Sequence, residues 1–320
     1  MILSTVLMTL GFVLLIKGAD FLVSGSCAIA RRFNVSDLVI GLTVVAFGTS
    51  SPELSVSIIS GLNGSTDIAV GNVLGSNICN ILLILGVSSI ICPLSISKGT
   101  VSKEIPLSLL AAVVLFLMAN DSVIDHMPPS MLTRSDGLVL LCFFSIFLYY
   151  TFSIATDING LDTETPNDEY TMPVSILYVL LGLSGLTLGG KWIVDGAVNL
   201  ALKMGMTENL VGLTIVAVGT SLPELATSAM AAFRKKADIA VGNVIGSNIF
   251  NIFLILGISA SITPLPFREA NNEDIAVLLV SSLFLFLFWF TFKKSILDRR
   301  EGVFFVLSYV AYLTYIVFRG

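Results

Sequence analysis

Two glutamates stand out because each follows a proline in an otherwise apolar stretch. Glu53 ends the motif GTSSPE, and Glu224 ends GTSLPE, which recurs 171 positions later. A carboxylate is costly inside a membrane and marks a functional site there. Each proline lacks an N–H group, so the carbonyls of Gly48 and Gly219 lose their helical partners and both helices should break. Carbonyls, hydroxyls and one carboxylate per motif then form a cluster of hard oxygen ligands.

A second polar element follows each glutamate. Its side chains recur every four residues and therefore share one helix face: Asn72, Ser76 and Asn80, then Asn243, Ser247 and Asn251. Beside them, Gly71 with Gly75 and Gly242 with Gly246 have the spacing that lets helices approach closely. Small residues alone would indicate tight packing, but packing does not require amides and a hydroxyl. We interpret each polar stripe as the wall of a binding site facing a glutamate.

The ligand types favour particular cations. Carboxylate, hydroxyl, amide and carbonyl oxygens suit Ca²⁺, which takes six to eight oxygen ligands, and they suit Na⁺, another hard cation of similar size. Soft metals are disfavoured because no Cys or His lies among these residues. The sequence therefore predicts transported Ca²⁺ and Na⁺ and no resident cofactor. An enzyme is not expected, since the single histidine, His126, lies in a polar loop and no phosphate-binding glycine loop occurs.

The composition is that of an all-α membrane protein. Of 320 residues, 55% are hydrophobic and 12% are charged, with a mean hydropathy of +0.94. Each apolar segment is long enough to cross a bilayer as a helix. Ten spans are predicted, at residues 2–29, 37–61, 67–91, 104–119, 136–155, 173–200, 208–233, 238–262, 274–292 and 302–318.

The chain is an internal duplication. Between residues 41 and 94, 33 of 54 positions match their partners 171 residues later. Residues 1–155 form the first five-helix repeat, 156–172 an acidic linker, and 173–320 the second repeat. Because five spans is an odd number, the second repeat should be inverted relative to the first, with the broken helices meeting at the membrane midplane.

Positive charges predict the orientation. With the N-terminus outside, 11 Lys or Arg residues fall in cytoplasmic loops and 4 in outer loops. Both termini are then extracellular, the linker is cytoplasmic, and the protein lies in the plasma membrane. Lys17 with Asp20, and Lys191 with Asp195, could pair along their own helices. The partners expected are the lipid bilayer and the two ions, with no basic patch for nucleic acid and with function as a monomer.

The segments GTSSPEL…GNVLGSNICN and GTSLPEL…GNVIGSNIFN resemble the α-repeats of the sodium/calcium exchanger family in its compact prokaryotic form. The resemblance covers essentially the whole chain and implies exchange of three Na⁺ for one Ca²⁺. It also implies that the first and sixth spans slide across the ion-binding core. The ligands it implies are Thr49, Ser50, Glu53, Ser76 and Asn80, then Thr220, Ser221, Glu224, Ser247 and Asn251, with the carbonyls of Ala46 and Ala217. Many family members carry aspartate where this chain has Asn251, so K⁺ coupling and Na⁺ stoichiometry stay open.

The leading functional hypothesis is a secondary active antiporter that exchanges Na⁺ for Ca²⁺ by alternating access. An exchanger of H⁺ for Ca²⁺, or for another divalent cation, would share the glutamates and the inverted repeat. The density of small hydroxyl ligands favours Na⁺, because a proton requires only the carboxylates. A cation channel is the alternative from another class and would conduct without a counter-ion.

Overall fold

The computed structural model describes residues 2–62, 66–95, 99, 102–124, 126, 129–156, 170–204, 217–288 and 296–319. Helices dominate because a helix satisfies its backbone hydrogen bonds internally, as lipid requires. They are α1 (Ile2–Arg32), α2 (Asp37–Thr49), α3 (Ser51–Leu62), α4 (Thr66–Cys79, continuing through Asn80–Ile84 and Leu85–Ile91), α5 (Glu104–Ala119), α6 (Asp121–Ile124), α7 (Arg134–Thr156), α8 (Met172–Lys203), α9 (Ala217–Thr220), α10 (Leu222–Phe233), α11 (Ala237–Ile262), α12 (Glu269–Phe288) and α13 (Arg299–Arg319). Four short strands accompany them: β1 (Leu94–Ser95), β2 (Met131–Leu132), β3 (Leu265–Pro266) and β4 (Ile296–Leu297).

The prediction of an all-α membrane protein is confirmed, but the count of ten spans is not. Within the described residues, seven helices are long and apolar enough to cross a membrane, and α2 with α3 forms an eighth span bent by 44°. Helix α5 occupies the predicted span 104–119 but is a shorter apolar helix. The first part of the predicted span 208–233, and the end of 274–292, lie outside the described residues.

Helices α4 and α11 form the centre of the molecule. In α11, 94% of the most apolar stretch is buried, and in α4 the share is 72%. The other five full-length helices bury a third or less of theirs, so they form the outer layer. Both central helices contain a π-helical stretch, at Asn80–Ile84 and Phe250–Leu256. Such widened turns are frequent at functional sites.

Helices α1 and α8 pack backbone against backbone through glycines. A Cβ atom added to Gly18 would lie 2.8 Å from the carbonyl oxygen of Gly182, and one added to Gly11 would lie 2.9 Å from that of Gly189. Numbers rise along α1 as they fall along α8, so the two helices are antiparallel. Gly11 and Gly18 are the repeat equivalents of Gly182 and Gly189, which makes α1 and α8 equivalent helices running in opposite directions.

Short strands of the two halves pair with each other. β1 pairs with β4, with Leu94 opposite Leu297, and β2 pairs with β3, with Leu132 opposite Leu265. Leu94 and Leu265 are equivalent positions of the repeat, so the second pairing repeats the first with the halves interchanged. Each half therefore completes a ladder that the other half begins.

The predicted close approach of helices at small residues is confirmed in the second repeat. A Cβ on Gly242 would lie 2.8 Å from the carbonyl oxygen of Leu38, and one on Gly246 would lie 2.8 Å from the Cβ of Ala46. These contacts bring α11 against α2. A Cβ atom added to either first-repeat equivalent, Gly71 or Gly75, would meet no described atom within 4 Å.

The predicted ion pair within α1 is wrong. Asp20 is paired with Arg234, which directly follows α10 and whose guanidinium also donates to the Ser24 hydroxyl at 2.6 Å. Sequence proximity suggested Lys17, which is exposed. On α8, Lys191 and Asp195 are both exposed as well.

Candidate ion-binding site

The predicted helix breaks are present in both halves and have matching geometry. Ser50, between α2 and α3, has φ −84° and ψ 5°, and Ser221, between α9 and α10, has φ −87° and ψ 5°. In each case the proline of the motif follows two residues later, where the missing N–H prevents a continuous helix. The breaks place one glutamate in the first turn of α3 and the other in the first turn of α10.

Both glutamate side chains are deeply buried. Glu53 and Glu224 are each 1% exposed, and they lie close enough for their charges to interact. The Ser50 hydroxyl, from the first repeat, donates to Glu224 Oε1 at 3.0 Å. The N-terminal turn of each half-helix favours a negative charge through its free N–H groups and dipole. The two carboxylates therefore form one anionic site that both repeats build.

Threonine and asparagine side chains hold each broken helix against a central helix of the other repeat. Thr49 Oγ1 donates to Asn243 Oδ1 at 3.1 Å, and Thr220 Oγ1 donates to Asn72 Oδ1 at 3.5 Å. The Asn243 amide nitrogen donates to Ser228 Oγ at 2.9 Å, and that of Asn72 donates to the Ser57 hydroxyl at 3.4 Å. Asn72 and Asn243, which the sequence predicts to be part of the binding wall, therefore mainly connect helices through these hydrogen bonds.

The site contains a concentration of buried oxygen atoms without hydrogen-bond partners. Among the described residues, 16 buried side-chain polar atoms have no partner, and eight of them belong to residues predicted as ion ligands. All eight are oxygens: both carboxylate oxygens of Glu53, Oε2 of Glu224, Oγ of Ser76, Ser221 and Ser247, and Oδ1 of Asn80 and Asn251. Buried polar atoms are normally hydrogen-bonded, so this set requires a further partner, and every oxygen in it can donate an electron pair. A hard cation meets that requirement.

The remaining predicted ligands, Ala46 and Ala217, belong to the helices that precede the two breaks. Ala46, in α2, is fully buried, and its carbonyl accepts the Ser50 N–H at 3.0 Å and the Thr49 hydroxyl at 3.3 Å. Ala217 begins α9, and its side chain lies outside the described residues. The predicted site residues therefore converge on the two helix breaks and the facing stretches of α4 and α11.

Two asparagines that the sequence analysis missed connect the two halves of the site. The amide nitrogen of Asn77 donates to the carbonyl of Asn248 at 3.3 Å, and that of Asn248 donates to the carbonyl of Asn77 at 3.4 Å. Their side-chain oxygens accept from Asn251 and Asn80, both at 2.9 Å. They lie one position off the four-residue stripe, so the periodicity argument passed over them. Their presence in both copies of GSNI was the available signal.

Helix α8 covers both breaks. A Cβ atom on Gly48 would lie 2.4 Å from Cδ2 of Leu183, and one on Gly219 would lie 2.2 Å from Cγ2 of Val194. Leu183 and Val194 are 11 residues apart, about three helical turns. The glycine before each break therefore allows a side chain of α8 to lie directly against the broken helix.

Comparisons with known proteins point to one family. A family model described as "Sodium/calcium exchanger protein" matches residues 3–153 and 174–318. The chain is 33% identical over 339 residues to the sodium/calcium exchanger MaX1 of Methanosarcina acetivorans, covering 96% of both chains. It is 39% identical over 300 residues to the inner membrane protein YrbG of Escherichia coli, covering 90% of both. A solved structure of the sodium–calcium exchanger NCX_Mj, soaked without Na⁺ and Ca²⁺, has a TM-score of 0.85 and 36% identity, with 98% of both chains covered.

Proposed function

Because the chain belongs to the sodium/calcium exchanger family, we propose that it exchanges Na⁺ for Ca²⁺ across the membrane as a secondary active antiporter. The family and its structural neighbours are exchangers, so the chain is a multi-pass membrane transporter and not an enzyme. The observation that carries the choice of ions is a set of eight buried oxygens, three of them from Glu53 and Glu224, that have no hydrogen-bond partner among the described residues. The site lies within one chain, which supports function as a monomer.

Ca²⁺ binds between Glu53 and Glu224 in this proposal, because two carboxylates balance its charge. The unpaired oxygens of Ser76, Ser247 and Ser221, with those of the two amides, complete a coordination shell of the size Ca²⁺ prefers. The hydroxyls also provide several sites for Na⁺, which needs less charge per ion. Three Na⁺ then replace one Ca²⁺ in each cycle. This abundance of hydroxyl oxygens supports Na⁺ over H⁺ as the coupling ion.

The proposed topology has ten spans in two inverted repeats, residues 1–155 and 173–320, joined by the linker 156–172. Each of three contacts joins two segments that this topology assigns to one side of the membrane. They are the β1–β4 ladder, the β2–β3 ladder and the 2.8 Å ion pair of Lys236 with Asp37. The antiparallel packing of α1 on α8 supports inversion. The orientation with both termini extracellular, in the plasma membrane, depends on the distribution of positive charge.

The linker provides a test of that orientation. A cysteine introduced at position 162, in a variant whose four native cysteines are replaced by serine, should react with a membrane-impermeant maleimide in inverted vesicles. It should not react in intact cells. Labelling from the outside of intact cells would reverse the proposed orientation. A deletion of 160–166 should leave exchange largely intact, because the linker supplies none of the proposed ligands.

Ca²⁺ uptake into proteoliposomes tests the exchange reaction. Uptake is expected under an outward Na⁺ gradient and not under an outward H⁺ gradient of equal size. Glu53→Gln and Glu224→Gln should each abolish uptake, because each removes half of the fixed charge that opposes Ca²⁺ in a low dielectric. Glu104→Gln is the matched control, since Glu104 is also buried but lies in α5, where Tyr150 donates to it.

Three results would contradict the proposal. Uptake driven by H⁺ alone would indicate an H⁺/Ca²⁺ exchanger, and uptake without any counter-ion would indicate a channel. Near-normal exchange by either glutamine variant at the site would show that the Ca²⁺ site lies elsewhere.

A further inference from the structure

Four asparagines form a closed network at the interface of the two central helices. Asn77 and Asn248 occupy equivalent positions of the duplicated sequence and donate to each other's backbone carbonyls. Asn80 donates to Asn248, and Asn251 donates to Asn77. Every bond in the network joins one repeat to the other. All four side chains are at most 2% exposed, so water does not compete for these bonds.

The network determines which end of each amide faces which partner. A backbone carbonyl can only accept, so the group that Asn77 directs at the carbonyl of Asn248 must be its NH₂ group. The remaining end of Asn77 is then its oxygen, which requires a donor from Asn251. Asn251 therefore uses its NH₂ group in this bond. The same reasoning applies to Asn248 and Asn80 in the other direction.

As a consequence, the side-chain carbonyl oxygens of Asn80 and Asn251 are not used within the network and can bind an ion. Oδ1 of Asn80 and Oδ1 of Asn251 are both buried and have no hydrogen-bond partner in the described part of the chain. A reversed amide would place two NH₂ groups against each other and direct NH₂ hydrogens, instead of an oxygen, toward a cation. The π-helical stretches also begin here, at Asn80 in α4 and one residue before Asn251 in α11.

We infer that Asn77 and Asn248 are positioning residues that direct the Asn251 and Asn80 carbonyl oxygens at the transported cation. This inference rests on the proposed function and deepens it. Each positioning residue acts across the repeat boundary, Asn77 on Asn251 and Asn248 on Asn80. Neither half of the site keeps its amide ligand correctly oriented without the other half.

The test is a double-mutant cycle on Ca²⁺ binding by the purified full-length protein. Asn77→Ala should weaken Ca²⁺ affinity about tenfold, as expected for one misdirected charge-assisted ligand. In an Asn251→Ala background, the same change should have little further effect, because the amide it directs is absent. In an Asn80→Ala background, its effect should remain close to tenfold. The last comparison is the control, since Asn80 is directed by Asn248.

The mirror cycle repeats the test independently. Asn248→Ala should lose its effect in the Asn80→Ala background and keep it in the Asn251→Ala background. Size-exclusion chromatography establishes that each variant is folded before binding is measured. If the Asn77 variant does not fold, the Asn248 cycle decides the question, and Asn77→Ser and Asn248→Ser, which keep a small polar group, replace the alanine variants where needed.

Unchanged Ca²⁺ affinity in Asn77→Ala and Asn248→Ala would overturn the inference. Equal effects in all backgrounds would overturn it as well, because a purely structural role does not distinguish Asn251 from Asn80. Failure of the wild-type protein to bind Ca²⁺ would instead contradict the proposed function. The two failures are therefore distinguishable.

Discussion

Asp20, within helix α1, is ion-paired with Arg234, the residue that directly follows α10. The pair joins a helix of the outer layer to the half-helix that carries Glu224. Both side chains are partly exposed, at 29% and 38%, and such pairs contribute at most about 1 kcal/mol. The repeat equivalents of Asp20 and Arg234 are Lys191 and Asn63, so the sequence does not duplicate this ion pair.

Removal of the ion pair between Asp20 and Arg234 should change the balance between the two states of alternating access and leave folding intact. Arg234→Gln is expected to shift the ratio of apparent Ca²⁺ affinities on the two sides of the membrane by up to about fivefold. Asp20→Asn should do the same, and the double variant should add nothing. Affinities are measured in oriented proteoliposomes. Lys17→Gln, an exposed charge change on the same helix, is the control, and an equal shift in that variant would contradict a specific role for the pair.

The two site glutamates should reduce stability when no ion is bound. Glu53 has no hydrogen-bond partner for either carboxylate oxygen among the described residues, and uncompensated buried charge is unfavourable. Glu53→Gln should therefore raise the Tm of the ion-free protein, by about 2–4 °C for each kcal/mol relieved. Ca²⁺ is expected to raise the Tm of the wild type, because it binds only the folded protein, and not that of Glu53→Gln.

Glu104 gives the matched comparison for stability. It is also a buried glutamate, but its Oε1 accepts a hydrogen bond from Tyr150. Glu104→Gln is expected to leave the Ca²⁺-dependent increase in Tm intact. A scanning fluorimetry series with and without Ca²⁺ distinguishes the two variants. A lower ion-free Tm for Glu53→Gln would show that this carboxylate has stabilising partners.

Exchange should move charge across the membrane. Glu53 and Glu224 balance one Ca²⁺, whereas three Na⁺ leave the site at about +1 because Asn251 is neutral. Each 100 mV then biases a cycle by about 2.3 kcal/mol. In Na⁺-loaded liposomes, an inside-positive potential should accelerate Ca²⁺ uptake and an inside-negative one should slow it. The potential is set with K⁺ and valinomycin, after a control shows that K⁺ is not transported.

Uptake that does not respond to voltage would contradict the proposed stoichiometry. It would indicate two Na⁺ per Ca²⁺, which leaves the loaded site neutral in both half-cycles. The charge count at Glu53 and Glu224 would then require revision, although the exchange reaction itself would stand.

The glycine contact between α1 and α8 should tolerate no side chain. A Cβ atom on Gly182 would lie 2.6 Å from the backbone nitrogen of Leu22, and overpacking of this kind costs about 1–3 kcal/mol. Gly182→Ala should therefore lower the Tm and slow exchange. Gly61→Ala is the control, because the equivalent residue is Ala232 and an added Cβ meets no described atom within 4 Å. Equal effects of both changes would contradict the packing argument.

Local spacing predicted the helix breaks and the placement of Ser76 and Asn80 on one face of a helix. Proline chemistry and the four-residue period are properties of single segments, so they can be read from the chain directly. The roles of Asn77 and Asn72 could not be read in this way, since both depend on which residue of the other repeat lies opposite. Asp20 shows the same limit, because its partner Arg234 is 214 positions away.

The duplication was also informative beyond local structure. It predicted that equivalent helices run in opposite directions, as α1 and α8 do. It did not predict that Ser50 donates to Glu224 while, among the described residues, the equivalent Ser221 hydroxyl makes no such bond to Glu53. Small differences between two nearly equal halves depend on packing detail that a sequence repeat does not contain.

The pairing of β1 with β4 cannot form until most of the chain has been synthesised. Leu94 pairs with Leu297, about 200 residues further along the chain, and translation at 5–20 residues per second needs roughly 10–40 s to cover that distance. Until then, the β1 strand of the first half has no β4 to pair with. The first half must therefore persist in the membrane with this strand unpaired until the segment between α12 and α13 has been made.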